Sequence, residues 1–237
     1  MAKKDNGRIL IKLSGEALMG RTSYGIEINT VDRIAKNIED FSKKKLQICI
    51  VIGGGNIFRG LAASSKGMER ANADYMGMLA TVLNSLALQH ALEKIDVETR
   101  VMSAFPIQSI CETYIRRRAI RHMEKGRIVI CAAGTGNPYF STDTAASLRA
   151  AELECDAIYK ATQVDGIYNK DPRRYKDAKR IEKITYRKYL SGDLKIMDSA
   201  AVTIAKENNI PIKVFSILQN KCFTKVYANL LKYSEIS

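Results

Sequence analysis

The most constraining feature of this sequence is the alternation of short apolar runs with longer segments of helical periodicity. The apolar runs predict strands at 8–14, 46–52, 97–104, 127–134, 156–162 and 210–216. Strands that are separated by helices pair in parallel, because a parallel partner needs a long crossover connection. The sequence therefore predicts a three-layer α/β/α sandwich with a mainly parallel central sheet.

The segments between these runs predict helices. They cover 29–45, 74–94, 114–126, 142–154, most of 186–209 and a last helix from about 221. Asn29 is the expected N-cap of the first helix, and either Ser141 or Thr142 caps the helix at 142. The helix at 74–94 is apolar around much of its circumference, so we expect it to be buried or to contact another subunit.

The bulk composition fits one folded domain. The chain has 237 residues, of which 46% are hydrophobic, and this excludes a disordered protein. No apolar run approaches the roughly 20 residues that a membrane helix needs. The N-terminal ten residues lack the apolar core and cleavage site of a signal peptide. We therefore expect a cytoplasmic protein with no membrane partner.

The chain is strongly basic. Its formal net charge of +13 leaves nucleic acid, anionic surfaces and acidic small substrates open as partners. Basic clusters at 43–45, 116–118 and 171–180 are typical of solvated surface, and no recognised nucleic-acid motif accompanies them. We expect no nucleic-acid binding, and we keep a basic nucleic-acid-binding or regulatory protein as the alternative of a different class.

The cysteines and histidines give little support to a metal site or a catalytic triad. None of the cysteines lies in a C-x-x-C pair, so we expect buried, reduced thiols. They are Cys49, Cys111, Cys131, Cys155 and Cys222. His90 and His122 both fall in helix-like segments. We therefore expect neither a protein-bound zinc site nor a Ser-His-Asp triad.

Small residues and glycines follow three of the predicted strands. They are Ser14-Gly15, Gly53-Gly54-Gly55 and Gly134-Thr135-Gly136. Glycine lets backbone N–H groups approach an anion closely, and a helix that begins just afterwards adds further donors. Ligands of open α/β sheets bind beyond the carboxyl ends of the strands. Three such turns on one rim of the sheet predict a site for more than one phosphate group.

These turns do not match the common phosphate-binding fingerprints. Gly15 to Thr22 approaches a P-loop, but Arg21 stands where the P-loop requires lysine. The third glycine of a dinucleotide-binding fingerprint is replaced by Phe58 after the second turn and by Tyr139 after the third. The sequence therefore contains neither a P-loop nor a dinucleotide-binding fingerprint.

Six segments together resemble the bacterial uridylate kinases of the amino-acid kinase family. They are KLSGEAL (12–18), VIGGGNIFRG (51–60), DYMGMLATVLN (74–84), AAGTGNPYFSTD (132–143), KATQVDGIYNKDP (160–172) and KIMDSAA (195–201). The most specific combination is GGGNIFRG with GTGNPYFSTD, and the resemblance runs from about residue 8 to the C-terminus. It implies transfer of the ATP γ-phosphoryl group to UMP, giving UDP, with Mg²⁺ accompanying ATP. It also implies a single domain with a UMP and oligomerisation lobe at about 1–153 and an ATP lobe at about 154–237.

The resemblance also implies roles for individual residues on the ATP side. Lys12, Arg59 and Lys160 are the expected catalytic cations, and no general base is needed because the UMP phosphate is already ionised. The implied ATP contacts are Lys12, Leu13, Ser14, Gly15, Gly55, Arg59, Thr162, Tyr168 and Asp171. Tyr168 is expected to stack or hydrogen-bond, and Asp171 to accept from the ribose or the base.

On the acceptor side, the resemblance implies UMP contacts from one glycine, one aspartate and one loop. They are Gly54, Asp74, Thr135, Gly136, Asn137, Pro138, Tyr139, Phe140, Ser141 and Thr142. Asp74 lies at the start of the predicted helix, so a helix cap is the competing interpretation.

The family is typically a hexamer regulated by GTP as activator and UTP as inhibitor, so a homohexamer is implied for this chain. The segment linked to GTP is Gly20, Arg21, Thr22, Ser23, Tyr24 and Gly25, and Arg100 and Arg127 are candidates for an effector site at an interface. The nearest alternative function is that of a related kinase that phosphorylates a carboxylate or a carbamate.

Overall fold

A single nine-stranded sheet forms the centre of the computed structural model, which describes residues 7–59, 67–172, 174–192 and 194–237. Its strands are β1 (Arg8–Leu13), β2 (Gln47–Ile52), β3 (Thr99–Ser103), β4 (Glu112–Thr113), β5 (Ile128–Ala132), β6 (Ala157–Thr162), β9 (Lys183–Ile184), β10 (Ile212–Ser216) and β11 (Ser234–Ile236). They are arranged in the order β4-β3-β5-β2-β1-β6-β10-β11-β9. A separate two-stranded ribbon pairs β7 (Ile167–Tyr168) with β8 (Arg180–Ile181).

Helices cover both faces of this sheet. They are α1 (Ile28–Ser42), α2 (Arg70–Glu93), α3 (Arg116–Glu124), α4 (Thr142–Glu152), α5 (Tyr186–Ser191), α6 (Ser199–Glu207) and α7 (Cys222–Tyr227), and a short 3-10 helix spans Gly15–Leu18. All pairings from β4 to β10 are parallel, whereas β11 is antiparallel to β10. The predicted three-layer sandwich with a mainly parallel sheet is therefore confirmed.

The central strand β1 divides its side chains between two cores. Ile9, Ile11 and Leu13 pack on the face that α1, α2 and α7 cover, whereas Leu10 packs on the face of α3, α4 and α6. Successive side chains of a strand point to opposite faces, so Lys12 shares the face of Leu10. The strand parity therefore directs Lys12 towards α4.

The structure corrects several sequence-based expectations at the ends of elements. The N-cap of α1 is Glu27, whose carboxylate accepts from the backbone N–H groups of Asn29 and Thr30, so the expectation of an Asn29 cap was wrong. The helix α2 begins at Arg70 rather than at 74, so Asp74 lies in its second turn and is not a cap. Ser141 is the cap of α4 and accepts from the N–H groups of Asp143 and Thr144.

Other outcomes concern single residues and the chain ends. Four cysteines are buried, but Cys111 is partly exposed. The N-terminal residues 1–6, part of the segment used to exclude a signal peptide, and Gly60 of the second glycine motif lie outside the described residues. In the described ranges, no helix is both long and apolar enough to cross a membrane.

Candidate active site

The glycine turns that follow β1, β2 and β5 line one cleft of about 860 Å³. Because these strands are parallel neighbours, their carboxyl ends meet on the same rim of the sheet. Twelve of the site residues expected from the sequence line this cleft: Lys12, Ser14, Gly15, Gly54, Gly55, Arg59, Asp74, Thr135, Tyr139, Phe140, Ser141 and Thr142. The cleft lies where the sequence predicted a site for phosphate groups.

Two of these glycines are required by close packing. A Cβ atom on Gly15 would lie 2.4 Å from Asn56 Oδ1 and 2.7 Å from the Gly53 carbonyl oxygen. A Cβ atom on Gly54 would lie 2.7 Å from the Gly77 carbonyl oxygen in α2. Neither position has room for a side chain, so each requires glycine.

A buried cluster of two lysines and one aspartate lies at the base of the cleft. Lys12 in β1 and Lys160 in β6 are paired in register, so their side chains leave the sheet side by side. Lys12 Nζ lies 2.8 Å from Asp143 Oδ1, and Lys160 Nζ donates to Asp143 Oδ2 at 2.6 Å. Asp143 is in the first turn of α4, where its charge also suits the helix dipole. One carboxylate thus holds two ammonium groups beneath the glycine turns.

The environment of this cluster changes the protonation equilibria of its members. Burial would raise the pKa of Asp143, but the charges of Lys12 and Lys160 outweigh it and lower the pKa to about 2. Burial and the neighbouring charge of Lys12 lower the pKa of Lys160 to about 8, although Asp143 opposes this shift. At neutral pH the cluster therefore carries a net positive charge, and this charge favours an anionic ligand.

Arg59 follows the second glycine turn and reaches across to the first. Its Nε donates to the Gly55 carbonyl oxygen at 3.1 Å, and its guanidinium forms an ion pair with Glu16 of the 3-10 helix. Both side chains are well exposed at the mouth of the cleft. An exposed ion pair of this kind is weak, so an incoming phosphate can displace Glu16 from the guanidinium.

The opposite wall of the cleft is organised by Asp74. Its Oδ2 accepts from Arg70 Nε at 2.7 Å and from the Tyr139 backbone N–H at 2.8 Å. Tyr139 has a φ of 72°, its side chain is 68% exposed, and the Arg70 guanidinium lies 5.5 Å from its ring centroid. A non-glycine residue in this backbone region is strained, and the hydrogen bond to Asp74 offsets part of the cost.

Asp198 connects the start of α4, which follows the third turn, with the start of α6. Its carboxylate accepts from the hydroxyl groups of Ser141 and Thr144 and caps α6 through the Ala201 N–H at 2.7 Å. Ser141 in turn caps α4. This chain of hydrogen bonds fixes the N-terminus of α4 at the wall of the cleft.

Comparison with known proteins identifies the family to which this chain belongs. The family model described as "Amino acid kinase family" matches residues 7–216. This chain belongs to the amino acid kinase family. The resemblance inferred from the motifs is confirmed.

Similar curated proteins of this family carry the name uridylate kinase. The protein from Ehrlichia canis (strain Jake) is 54% identical over 230 residues, covering 97% of this chain and 94% of its own. The protein from Paramagnetospirillum magneticum is 56% identical over 218 residues, covering 92% and 91%.

Two solved structures share the fold along almost the whole chain. The UMP kinase from Ureaplasma parvum is 39% identical with a TM-score of 0.93, covering 99% of this chain and 100% of its own. The UMP kinase from Bacillus anthracis is 36% identical with a TM-score of 0.93, covering 99% and 97%. This amino acid kinase therefore has close structural relatives among UMP kinases.

Several residues expected on the nucleotide sites of this kinase do not line the cleft. Leu13 is buried beneath the first turn, and Lys160 is absent from the lining, although its ammonium group donates to Asp143 in the cluster with Lys12. Thr162 ends β6 on the same rim, whereas Tyr168 lies in the ribbon and donates its hydroxyl hydrogen to Asp165 at 2.7 Å. Asp171 and the loop residues Gly136, Asn137 and Pro138 also lie outside the lining.

The expected effector residues lie away from this cleft. Residues 20–25 form a surface turn in which Arg21, Thr22, Ser23 and Tyr24 are exposed. Arg127 pairs with Glu98 at 2.8 Å, and Arg100 in β3 lies 3.6 Å from Glu93. Their effector role stays a prediction.

Sequence reasoning missed four charged residues of the site: Glu16, Arg70, Asp143 and Asp198. Three of them stand inside quoted motifs, namely Glu16 in KLSGEAL, Asp143 in AAGTGNPYFSTD and Asp198 in KIMDSAA. Asp143 carried a usable signal, because an acidic residue in the first turn of a helix that faces two strand-end lysines is a natural counter-ion. Arg70 was missed because the start of α2 was placed four residues too late.

The lowered pKa of Lys160 predicts that the rate of the reaction depends on pH. We expect kcat/KM for ATP to fall as the pH rises through about 8, because Lys160 then loses its positive charge. The folded-state pKa of Lys160 lies below its unfolded value of 10.5, so the free energy of unfolding contributed by this group rises with pH between about 8 and 10.5. Unfolding linked to Lys160 therefore cannot imitate the loss of activity.

The matched control for this pH profile is Lys160→Arg. Arginine stays charged throughout the range, so the alkaline fall should disappear even if the variant is slower. Steady-state rates between pH 6 and pH 9.5 provide the measurement. An alkaline fall with the same midpoint in both proteins would show that Lys160 is not its source.

Proposed function

We propose that this chain transfers the γ-phosphoryl group of ATP to UMP, giving ADP and UDP, in pyrimidine nucleotide biosynthesis in the cytoplasm. The observation that carries the proposal is the buried Lys12–Asp143–Lys160 cluster beneath three converging backbone turns. Phosphoryl transfer needs mainly positioning and neutralisation of negative charge, and this cluster supplies both. The names of the relatives direct the choice of acceptor.

In the proposed reaction, a phosphate oxygen of UMP attacks the γ-phosphorus of ATP. A new P–O bond forms on the acceptor, the bond between the γ-phosphorus and the bridging oxygen breaks, and ADP leaves with the electron pair. The UMP phosphate is already ionised at neutral pH, so no general base is required. Lys12 and Lys160 stabilise the negative charge on the transferred group, and Asp143 holds both ammonium groups in place.

On the donor side, Ser14, Gly15, Gly55 and Arg59 face the triphosphate. Close packing excludes a side chain at Gly15, so the backbone N–H at this position can approach the phosphate oxygens. Thr162, Tyr168 and Asp171 are assigned to the nucleoside, beyond the cleft. This assignment belongs to the C-terminal lobe at about 154–237.

Mg²⁺ is the proposed partner of ATP. Glu16 and Asp198 line the cleft, and in the part of the chain that the structure describes no group of three histidine, cysteine or acidic side chains could hold a metal alone. This donor set fits a Mg²⁺ ion that nucleotide oxygens and water coordinate, with Asp198 nearby. When bound, Mg²⁺ neutralises charge on the phosphates.

On the acceptor side, Gly54, Asp74 and the loop 135–142 are assigned to UMP, in the lobe at about 1–153. Among the residues that the structure describes, the hydrogen bonds of Asp74 fall on Oδ2, from Arg70 and the Tyr139 N–H, so we assign Oδ1 to a ribose hydroxyl. The exposed rings of Tyr139 and Phe140 at the mouth of the cleft offer surface for the pyrimidine.

Substitution of Asp74 should weaken the binding of UMP much more than the binding of ATP. We expect Asp74→Ala to raise KM for UMP about tenfold, because it removes a ribose contact and releases the Tyr139 loop. KM for ATP should change less than about twofold. The matched control is Asp32→Ala, because Asp32 is an exposed residue of α1 that pairs only with Lys94 among the ion pairs of the described residues. Equal increases in both KM values would contradict the assignment.

A homohexamer with GTP as activator and UTP as inhibitor completes the proposal. The support is an exposed apolar stripe along α2 that includes Tyr75, Met76, Leu79 and Leu83. A stripe of this size on a helix is typical of a subunit contact, and light scattering of the purified protein measures the assembly.

The assay that tests the function is ADP release from ATP with UMP, CMP, acetylglutamate or carbamate as acceptor, with GTP and UTP then added in turn. We expect turnover with UMP to exceed turnover with each other acceptor. Preferred turnover with a carboxylate or carbamate would move the chain to the alternative kinase activity. No turnover, together with salt-sensitive DNA binding that survives loss of Lys12 and Arg59, would favour a nucleic-acid-binding protein.

A further inference from the structure

Two buried asparagines pair directly behind the glycine turns. Asn56 follows the second turn and is 2% exposed, and Asn84 lies in the middle of α2 and is 0% exposed. Asn56 Nδ2 donates to Asn84 Oδ1 at 3.0 Å, and Asn84 Nδ2 donates to Asn56 Oδ1 at 2.7 Å. The two side-chain amides therefore form a reciprocal pair.

The remaining N–H bond of each amide reaches the backbone of a different segment. Asn84 Nδ2 also donates to the Gly53 carbonyl oxygen at 2.7 Å, at the end of β2. Asn56 Nδ2 also donates to the Gly25 carbonyl oxygen at 2.8 Å, and the Gly25 N–H donates to the Asn56 carbonyl oxygen at 2.9 Å. The pair thus connects the second glycine turn, the helix α2 and the surface turn 20–25.

The pair also touches the first glycine turn. Asn56 Oδ1 occupies the space next to Gly15 Cα, where it would lie 2.4 Å from an added Cβ. Any displacement of the Asn56 side chain therefore changes the packing of the turn that follows Lys12. The first and second glycine turns therefore both contact this pair of amides.

We propose that Asn56 and Asn84 are positioning residues for phosphoryl transfer, which hold the turns at Gly15 and Gly53–Gly55 in register with each other and with the lysine cluster. Neither asparagine lines the cleft, so both act through the backbone groups that face the phosphates. This inference rests on the proposed kinase function and adds two residues to its machinery.

The chemistry of the site requires an amide at both positions. Each pair member uses both of its N–H bonds and its oxygen, and the donors and acceptors are fully matched. An aspartate at position 84 would replace two donors by an oxygen that faces the Gly53 carbonyl and Asn56 Oδ1. Because the pair is buried, an unmatched polar group there is costly, and the matched pair fixes one geometry.

The test compares kcat at saturating ATP and UMP for Asn84→Ala, Asn56→Ala and the double variant. A small displacement of positioned groups costs up to about 10²-fold in rate, so we expect each single variant to lose about 10- to 100-fold in kcat. The double variant should lose little more than the worse single variant, because the two amides act as one unit.

The matched control is Asn37→Ala. Asn37 is a buried asparagine in α1 whose Oδ1 accepts from the Lys221 N–H at 2.5 Å, on a segment remote from the cleft. Its loss should lower the midpoint of thermal unfolding and leave kcat within about twofold, since only stability is affected. A kcat in the Asn84 and Asn56 variants that matches this control would overturn the proposal.

Two further outcomes are decisive. If Asn84→Ala does not fold, the kcat of Asn56→Ala is the test. A kcat of that variant within about twofold of the native value would refute the proposal. Fully additive losses in the double variant would show that the two asparagines do not act as a pair. The native protein is assayed alongside: no UMP phosphorylation by the native chain would refute the proposed function itself, whereas unchanged rates in the variants refute only the role of the pair.

Discussion

Replacement of Asp143 by asparagine is expected to lower kcat for UDP formation by about 10²- to 10³-fold, a loss comparable to that of a key electrostatic contact in other enzymes. The carboxylate is the shared counter-ion of Lys12 and Lys160, and both ammonium groups are buried. Without it, desolvation and mutual repulsion lower the pKa of Lys160 further below its present value of about 8. One of the two cations is then lost near neutral pH, and the other is no longer held in place.

The control for this substitution is Asp177→Asn. Asp177 forms an exposed ion pair with Lys170 at 2.5 Å, and exposed pairs contribute little. We expect native turnover from the control and a lower unfolding midpoint only in the Asp143 variant, since a buried charge pair is broken there. Turnover of Asp143→Asn within about threefold of the native value would remove the shared carboxylate from the mechanism.

Lys12→Ala is expected to lower kcat by about 10²- to 10³-fold while the Kd for UMP changes less than about threefold. Lys12 reaches the cleft beside Gly15, on the side assigned to the transferred phosphoryl group, whereas the UMP contacts lie around Asp74. The substitution therefore removes stabilisation of the transition state rather than of bound UMP.

Rapid-quench kinetics and calorimetric titration with UMP measure the two quantities separately. Lys36→Ala removes an exposed lysine that pairs with Glu39 within α1, and it should change neither. Near-normal turnover of Lys12→Ala would exclude Lys12 from the chemistry. A large loss of UMP affinity with unchanged kcat would place it in the acceptor site instead.

The regular part of this fold was predictable because local pattern and tertiary structure agree. Each of the six predicted strands exists, and the glycines that follow three of them meet on one rim because parallel strands end together. The pairing of Lys12 with Lys160 was not predicted, because the alternation of strands and helices does not give the order of the strands in the sheet.

The parts that were not predicted depend on long-range partners. β11 and the ribbon of β7 and β8 are only two or three residues long, and their pairings carry no periodicity that a sequence could reveal. The first turn of α2, Arg70 to Ala73, has little apolar pattern, so its helix start was placed at Asp74. The carboxylate of Asp143 meets two lysines from strands that lie far apart in the chain, and only the fold brings them together.

The alternation of side chains along β1 has a consequence for how this sequence can vary in length. Inserting or deleting one residue between Arg8 and Lys12 would turn the lysine to the face of α1 and bring Ile11 or Leu13 to the face of α4. Such an indel would empty the ammonium position and disturb two cores at once. Length variation among descendants of this chain should therefore be rare in the innermost strands and more frequent in outer connections such as the one between α7 and β11.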